Sequence, residues 1–276
     1  MDIRQSSSYA RFMSLEGWTV DKTEGTYSYI KKFPLIGHFI KIQRPAVITP
    51  KLIKTLEDKY HPFQILIEPS LNTDYNFLLT DYGFRKTKSP YLPSKTLTID
   101  LTQMEEKLYS NFKKNCRYAL RKTKNSHLTN LSLLPKIYEF HKAWKSSVPF
   151  TRYVSSRKNL RNLKKSFKKN SLFLTTQDFT AGAIFLKAGP TAYYWQAFTS
   201  NKAKKSLIQY QIVWQGIFWA KEKKAKTFDF EGIYDNRYPN KSWLGFTHFK
   251  KSFGDKEVIF PQSLSKTYFK NLFYKT

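Results

Sequence analysis

The feature that most constrains the fold is a stretch of 64 residues, Lys107 to Asn170, that holds 18 basic residues and a single acid, Glu139. Exposed faces usually mix both signs of charge, so this stretch is unlike an ordinary surface. Its apolar residues nevertheless recur at helical spacing, which predicts helices with one apolar and one cationic side. We expect such helices at 102–124, where Thr102 and Glu105 form a capping box, and at 156–169, with a further helix at 134–145.

The first of these helices has a cationic side made of four residues, Lys113, Arg117, Arg121 and Lys124. Phosphate groups require only such a line of point charges, and no sequence specificity is implied. We therefore expect these four residues to contact nucleic acid. The alternative is a set of solvated side chains in a lysine-rich chain.

The composition of the whole chain points to the same class of partner. Its 276 residues carry 48 Lys and Arg against 20 Asp and Glu, a formal net charge of +28. Cationic and neutral partners are disfavoured by that charge, and polyanions are favoured. Since 41% of the residues are hydrophobic and 17% aromatic, the charge belongs to a folded protein and not to a disordered tail.

Strand-like and helix-like segments alternate along the chain, which predicts mixed α/β units with antiparallel pieces. A Pro-rich stretch before residue 95 divides two such units, 1–95 and 96–264. Within the second unit we expect a helix over 203–223 and a strand over 227–231. A terminal helix at 265–276 is predicted to pack back on the first unit.

Several chemistries are disfavoured by what the sequence lacks. Cys116 is the single cysteine, which excludes a disulfide framework and a cysteine zinc cluster, and the five histidines are scattered. Neither a P-loop nor a paired-glycine loop occurs, which disfavours ATP, NAD and acyl-CoA. We expect no metal and no cofactor. Since no signal peptide or membrane-spanning run is evident, we expect a cytoplasmic protein, with peripheral contact to the inner membrane face as an option.

Two places carry candidate site residues. Asp229 and Glu231 stand near a glycine turn at a predicted strand end, where a carboxylate pair could bind an ammonium group. The alternative is a turn whose carboxylates cap backbone N–H groups. The second place is the segment 245–254, where aromatic residues surround Lys250 and Lys251. A lysine fixed among aromatics can stabilise an oxyanion, whereas one that snorkels to solvent has no such role.

The order and spacing of several segments resemble the Fem-type aminoacyltransferases, which build peptidoglycan cross-bridges. The matching segments are Gln5 to Trp18, Ile67-Glu68-Pro69, Thr98 to Thr102, Lys113 to Lys122, Tyr194 to Ala197, Trp214 to Ala220, Phe228 to Ile233, and Phe249 to Gly254. Each segment is degenerate alone, and together they cover nearly the whole chain.

The resemblance implies two acetyltransferase-like (GNAT-like) units with mixed, mostly antiparallel sheets flanked by helices, the first unit being reduced. It implies an aminoacyl-tRNA donor and no coenzyme A. The acceptor would be the stem-peptide amino group of a lipid-linked or UDP-linked muropeptide precursor, in cell-wall synthesis.

The resemblance also implies roles for individual residues. Lys250 matches the lysine that faces the reacting ester, with Phe249 beside it for the terminal adenosine. Arg152 matches the arginine that grips the precursor, and Tyr194 lies in the strand that lines the substrate. Two residues depart from the family pattern. Met13 stands where the family often has a lysine that binds the precursor's phosphates, and Arg11 is the nearby cation. Gln196 stands where some relatives have tyrosine.

Two other functions remain open on the sequence alone. One is a GNAT-like transferase that acts on a different amine acceptor, in a protein or a lipid. The other is a tRNA-binding protein without catalysis. The amino acid transferred, the number added and the oligomeric state are not defined by the sequence.

Overall fold

The computed structural model describes residues 1–254 and 256–268, which form two compact units. Met1–Ser94, joined by the chain from Ile259, makes the first unit, and Lys95–Val258 makes the second. None of the helices in this part of the chain combines the length and the hydropathy that a bilayer crossing needs.

The first unit begins with a helix, a three-stranded antiparallel meander and a crossover helix to a parallel strand. Its elements up to Ser94 are α1 (Ser7–Leu15), β1 (Thr19–Thr23), β2 (Thr26–Phe33), β3 (Gly37–Gln43), α2 (Pro50–Tyr60), β4 (Pro62–Glu68), α3 (Asn76–Thr80) and β5 (Arg85–Lys86). The Thr49 side chain caps α2 by accepting from the Leu52 backbone N–H, at 3.0 Å.

The second unit holds a seven-stranded sheet in the order β12-β6-β11-β10-β9-β8-β7. Its elements are β6 (Lys95–Asp100), α4 (Glu105–Asn111), α5 (Lys114–Lys122), β7 (Leu128–Asn130), α6 (Ile137–Ser147), α7 (Arg157–Phe167), β8 (Ser171–Thr176), β9 (Ala181–Ala188), β10 (Thr191–Thr199), α8 (Asn201–Ser206), α9 (Ile208–Glu222), β11 (Thr227–Asp229), α10 (Leu244–Lys250) and β12 (Lys256–Ile259).

The chain then returns to the first unit as β13 (Leu264–Thr267), which pairs with both β4 and β5. The first sheet therefore has the order β1-β2-β3-β4-β13-β5. The terminal helix predicted at 265–276 is wrong for 265–268. Residues 265–267 belong to a strand because β4 and β5 offer pairing partners far away in sequence, and residue 268 is irregular. The remainder of that prediction, 269–276, lies outside the described residues.

The two units share one arrangement. An antiparallel hairpin is followed by a crossover helix and then by a strand that pairs in parallel with the second strand of the hairpin. In the first unit these are β2–β3, α2 and β4, and in the second β9–β10, the α8–α9 segment and β11. The fold class predicted from the sequence, two mixed and mostly antiparallel sheets flanked by helices, is confirmed.

The basic stretch folds as helices, but the helix predicted at 102–124 is two helices. Phe112 and Lys113 have extended backbone (ψ near 150°), so α4 ends at Asn111 and α5 begins at Lys114. The Arg117 side chain stabilises this break, because its Nη1 donates to the backbone oxygens of Ser110 (2.8 Å) and Phe112 (2.5 Å). The helix predicted at 203–223 is also divided, since Leu207 adopts φ +63° between α8 and α9.

Helix α9 crosses the second sheet at a point where no side chain fits. A Cβ built at Gly216 would lie 2.2 Å from Cε1 of Phe185, a ring that is completely buried on β9. Because the ring has no room to move in a packed core, the glycine fixes how closely helix and sheet approach.

We predict that Gly216→Ala lowers the free energy of unfolding by roughly 1–3 kcal/mol, although alanine is the better helix former. Gly245→Ala is the matched control, since it is also helical and a Cβ there meets nothing within 4 Å. This control should be neutral or slightly stabilising. Urea denaturation of both variants tests the pair, and equal effects would contradict the close-packing argument.

Candidate active site

A cavity opens in the second unit where two parallel strands separate. β10 and β11 pair from Thr191↔Thr227 to Tyr193↔Asp229, after which β11 ends and β10 continues to Thr199. In open α/β sheets the gap beyond the carboxyl ends of such strands is the usual ligand site. Here it is a cavity of about 680 Å³, lined by β10, the α8–α9 segment, the turn after β11 and α10.

An irregularity in β10 shapes one wall of the cavity. The register with β9 shifts between Tyr194 and Gln196, so the strand bulges at Trp195. The Tyr194 hydroxyl, which is buried, accepts a hydrogen bond from Nε2 of Gln209 at 2.7 Å. Gln209 Oε1 in turn accepts from the Thr199 hydroxyl at 2.9 Å. These bonds hold the tyrosine ring and the start of α9 in one position.

Lys250 places a buried ammonium in the cavity wall. It is the last residue of α10, and it is 8% exposed. Its Nζ donates to the backbone oxygens of Phe230 and Gly232, both at 2.6 Å. The same nitrogen lies 4.9 Å from the ring centroid of Phe246 and 5.7 Å from that of Tyr194. The side chain therefore points into the protein and does not snorkel to solvent.

Burial changes the acidity of this lysine. Desolvation lowers the pKa of Lys250 to about 8, while the nearby carboxylates of Glu231 and Asp229 oppose that shift. At neutral pH the ammonium form still predominates, so the cavity wall carries a positive charge in a poorly hydrated setting. Such a group can donate a strong hydrogen bond to a developing negative charge.

Phe249 lines the cavity one residue before Lys250 and belongs to an aromatic group behind it. Its ring centroid lies 4.8 Å from Tyr210 and 5.5 Å from Phe253, both at edge-to-face angles. Since these contacts fix the ring, a flat ligand can stack there without ordering a mobile side chain.

The two candidate carboxylates have different environments. β11 ends at Asp229, so Glu231 lies in the following turn, at φ +54°, and the strand predicted over 227–231 is too long. Asp229 Oδ1 accepts from the Glu231 backbone N–H (2.8 Å) and from the Thr96 hydroxyl (2.5 Å), which is the capping role. Glu231 lines the cavity and Asp229 does not.

The other predicted substrate residues are dispersed. Gln196 lines the cavity, and its Oε1 accepts from the Ser155 hydroxyl at 3.1 Å. Arg152 is exposed in the turn that follows α6 and is absent from the cavity wall. Arg11 is exposed on α1 in the first unit, whereas Met13 is buried there.

The four predicted tRNA contacts also divide into two kinds. Lys113, Arg121 and Lys124 are exposed at or beside α5, as a phosphate-binding face requires. Arg117 is half-buried and bonded to the carbonyls at the helix break, so it holds the local fold. Helical periodicity gives the side of the helix on which a residue lies, but it does not reveal that the Arg117 guanidinium bonds backbone carbonyls.

Sequence reasoning missed Gln209, Tyr210 and Phe246 in the cavity wall. One signal was present, since Gln209 and Gln211 are polar residues inside an apolar helix, next to Ile208 and Ile212. Buried polar side chains in such a helix require partners, which makes them candidates for a site.

No group of three His, Cys, Asp or Glu side chains in residues 1–254 and 256–268 could hold a metal ion. Cys116 is completely buried in α5, and desolvation raises the pKa of its thiol to about 12. A thiol in that state is a poor nucleophile.

The two units have the mixed, mostly antiparallel sheets flanked by helices that the sequence predicted, and the second unit adds a cavity. The fold is shared with the crystal structure of FemX, at 16% identity and a TM-score of 0.78 over 99% of this chain and 94% of that one. The resemblance to Fem-type proteins is thereby confirmed at the level of fold.

Two further solved structures share the fold less closely. The C-terminal domain of a putative lysylphosphatidylglycerol synthetase from Agrobacterium fabrum aligns at 14% identity and a TM-score of 0.63, over 98% of this chain and 90% of that one. L-PGS from Bacillus licheniformis aligns at 12% identity and a TM-score of 0.59, over 95% and 87%. The sequence itself matches no protein-family model and no curated protein.

The lowered pKa of Lys250 predicts a defined pH dependence of stability. Between pH 8 and the unfolded value of 10.5, the unfolded chain holds a proton on this lysine that the folded chain has lost. Stability therefore rises with pH in that window, by an amount on the order of 3 kcal/mol. We expect the free energy of unfolding of the wild type, minus that of Lys250→Met, to rise by this order between pH 8 and 10.5. A difference that stays constant would show that the ammonium is well solvated.

Proposed function

We propose that this chain is an aminoacyltransferase that moves an amino acid from aminoacyl-tRNA to the stem-peptide amino group of a peptidoglycan precursor. The observation that carries the proposal is the buried ammonium of Lys250 in the wall of a cavity large enough for an aminoacyl ester and a terminal nucleoside. The shared fold with FemX supports the same class of reaction.

The reaction is aminolysis of an ester. The acceptor amine attacks the carbonyl carbon of the tRNA-linked amino acid, and the carbonyl oxygen becomes an oxyanion. Lys250 has three N–H donors, of which two bond the Phe230 and Gly232 carbonyls, so the third is left for the oxyanion. The intermediate then collapses to the new amide as the bond from the carbonyl carbon to the ribose oxygen breaks. The proton released by the attacking nitrogen passes to that oxygen, directly or through water, so the ribose leaves as a hydroxyl.

The donor would be bound in two places. Lys113, Arg121 and Lys124 supply exposed charge for the tRNA phosphates, and the fixed ring of Phe249 supplies a surface on which the terminal adenosine stacks. Because binding contacts orient the ester and the amine together, much of the acceleration would come from positioning.

The acceptor would approach along β10, past Tyr194 and Gln196, with Glu231 near its ammonium groups. Arg152 and Arg11 are exposed cations that would suit the precursor's phosphates or carboxylates. Charged tRNA is a cytoplasmic substrate, so we also propose that the protein is cytoplasmic. Its reaction would contribute to cell-wall synthesis and thereby to cell shape.

A second candidate function is aminoacylation of a lipid. The observation that favours it is the fold shared with the C-terminal domain of a putative lysylphosphatidylglycerol synthetase. The donor would be the same, but a lipid hydroxyl would replace the stem-peptide amine, so the reaction would be a transesterification that forms a new ester and not an amide.

One assay distinguishes these functions. The protein is incubated with charged tRNA and, in separate reactions, with a UDP-linked muropeptide, a lipid-linked muropeptide or phosphatidylglycerol vesicles. Mass spectrometry then records a gain of one amino acid. A gain on either muropeptide supports the proposal and identifies the acceptor, whereas a gain on phosphatidylglycerol alone supports the second candidate. Tight tRNA binding with no gain on any acceptor would indicate a binding protein.

We predict that Lys250→Met reduces transfer by at least about a hundredfold, because the oxyanion loses its charged donor. Affinity for tRNA should change by no more than a few-fold. The matched control is Lys251→Met, since Lys251 is paired with Glu257 at the surface and does not line the cavity. Single-turnover rates and filter binding measure both effects, and unchanged turnover in Lys250→Met would remove the assigned role.

Replacement of Lys113, Arg121 and Lys124 by alanine should weaken tRNA binding by roughly tenfold or more and reduce its dependence on salt. The matched control replaces Lys54, Arg85 and Lys86, which are exposed in the first unit and remove the same charge. Equal losses in the two triple variants would mean that only overall charge matters. The slope of log Kd against log salt is the measurement.

A further inference from the structure

The turn between β2 and β3 presents an apolar tip to solvent. Leu35 is 99% exposed, and Phe33 and Ile36 on either side are each 41% exposed. Scattered exposed apolar residues are common, but three within four positions at the end of a hairpin form a patch.

The backbone at this tip holds the leucine outward. The Ile36 N–H donates to the Pro34 oxygen at 2.8 Å, which makes a three-residue γ-turn with Leu35 at its centre and φ +65°. Turns of this kind with a bulky central residue at positive φ are rare and strained. Gly37 comes directly after this turn and also has a positive φ. The glycine is therefore not at the centre of the turn, where Leu35 stands. A fully exposed leucine with a strained backbone adds no stability to the isolated protein. The strain therefore points to a contact with another molecule.

Cationic and aromatic side chains lie behind the tip. Lys32 is exposed on β2, and the ammonium groups of Lys31 and Lys41 lie 5.9 and 4.2 Å from the ring of Trp18. The Phe33 ring contacts Phe63 at 6.0 Å, and the aromatic surface continues from there across the sheet. An apolar tip followed by lysines and amphipathic rings is the pattern of an element that rests in a membrane interface.

We propose that the β2–β3 turn inserts into the interfacial region of an anionic phospholipid bilayer. Charge complementarity favours this partner, because Lys31 and Lys32 adjoin the tip and the chain as a whole carries a net charge of +28. A convex tip needs no matching pocket in a fluid bilayer, whereas a protein partner would have to supply one. The proposal concerns the first unit and does not depend on the reaction assigned to the second.

Vesicle sedimentation tests the proposal with two matched variants. Leu35→Ser/Ile36→Ser removes the tip, and Leu71→Ser/Val47→Ser removes the same kinds of side chain, 54% and 55% exposed, elsewhere in the unit. The vesicles contain phosphatidylcholine with or without phosphatidylserine, which avoids the lipid considered above as an acceptor. We expect wild-type binding to require phosphatidylserine, the tip variant to bind about tenfold or more weaker, and the control to bind like the wild type.

A fluorescent label locates the tip directly. The single natural cysteine, Cys116, is completely buried, so Leu35→Cys introduces one accessible thiol for a polarity-sensitive dye. We expect the emission to shift to the blue when phosphatidylserine vesicles are added, and the label on Leu71→Cys to stay at its aqueous value.

Three results would overturn the proposal: no binding of the wild type to anionic vesicles, equal binding by the tip variant, or an unshifted Leu35→Cys label on vesicle-bound protein. Sedimentation velocity tests whether the tip instead binds a second copy of the chain. If the wild type self-associates through the tip while ignoring vesicles, the turn is an interface between two copies of the chain and the bilayer proposal is wrong.

Discussion

The ammonium of Lys250 donates to the carbonyl oxygens of Phe230 and Gly232, and these two bonds join α10 to the turn that follows β11. A buried cation is costly unless it is hydrogen-bonded, so the turn has to present two carbonyls to one nitrogen. Asp229 keeps the turn in that shape by accepting from the Glu231 N–H. Charge, turn and helix therefore depend on one another.

The cavity around this lysine follows from the sheet. Because β11 ends where β10 bulges, the two strands stop pairing at Tyr194 and leave a gap that α9 and α10 cover. The first unit repeats the hairpin, crossover helix and parallel strand, but there β4 stays paired with β3 as far as Gln43↔Glu68, the last residue of each strand. A shared architecture thus provides a site in one unit, and in the other an aromatic sheet whose hairpin points to solvent.

Much of this could be predicted from the sequence where the signals are local. Helix α7 is defined by a serine cap and a regular apolar side, and Lys250 was identified from its aromatic neighbours and the family resemblance. Features that depend on contacts between distant residues could not be predicted in this way. Strand β13 exists because β4 and β5 pair with it, and the break after α4 depends on where the Arg117 guanidinium binds. Gln209 lies at the cavity because its side chain donates a hydrogen bond to Tyr194, and the spacing of residues along the sequence does not reveal that bond.

The central claim is that Lys250 stabilises an oxyanion in the cavity beside β10. It is tested most directly by a crystal structure with a phosphonate analogue of the tetrahedral intermediate attached to adenosine. We predict that the analogue occupies this cavity, with a phosphonate oxygen at about 2.7–3.1 Å from Lys250 Nζ and the adenine against Phe249. An analogue that binds outside the cavity, or inside it with no oxygen within hydrogen-bond reach of Nζ, would contradict the account.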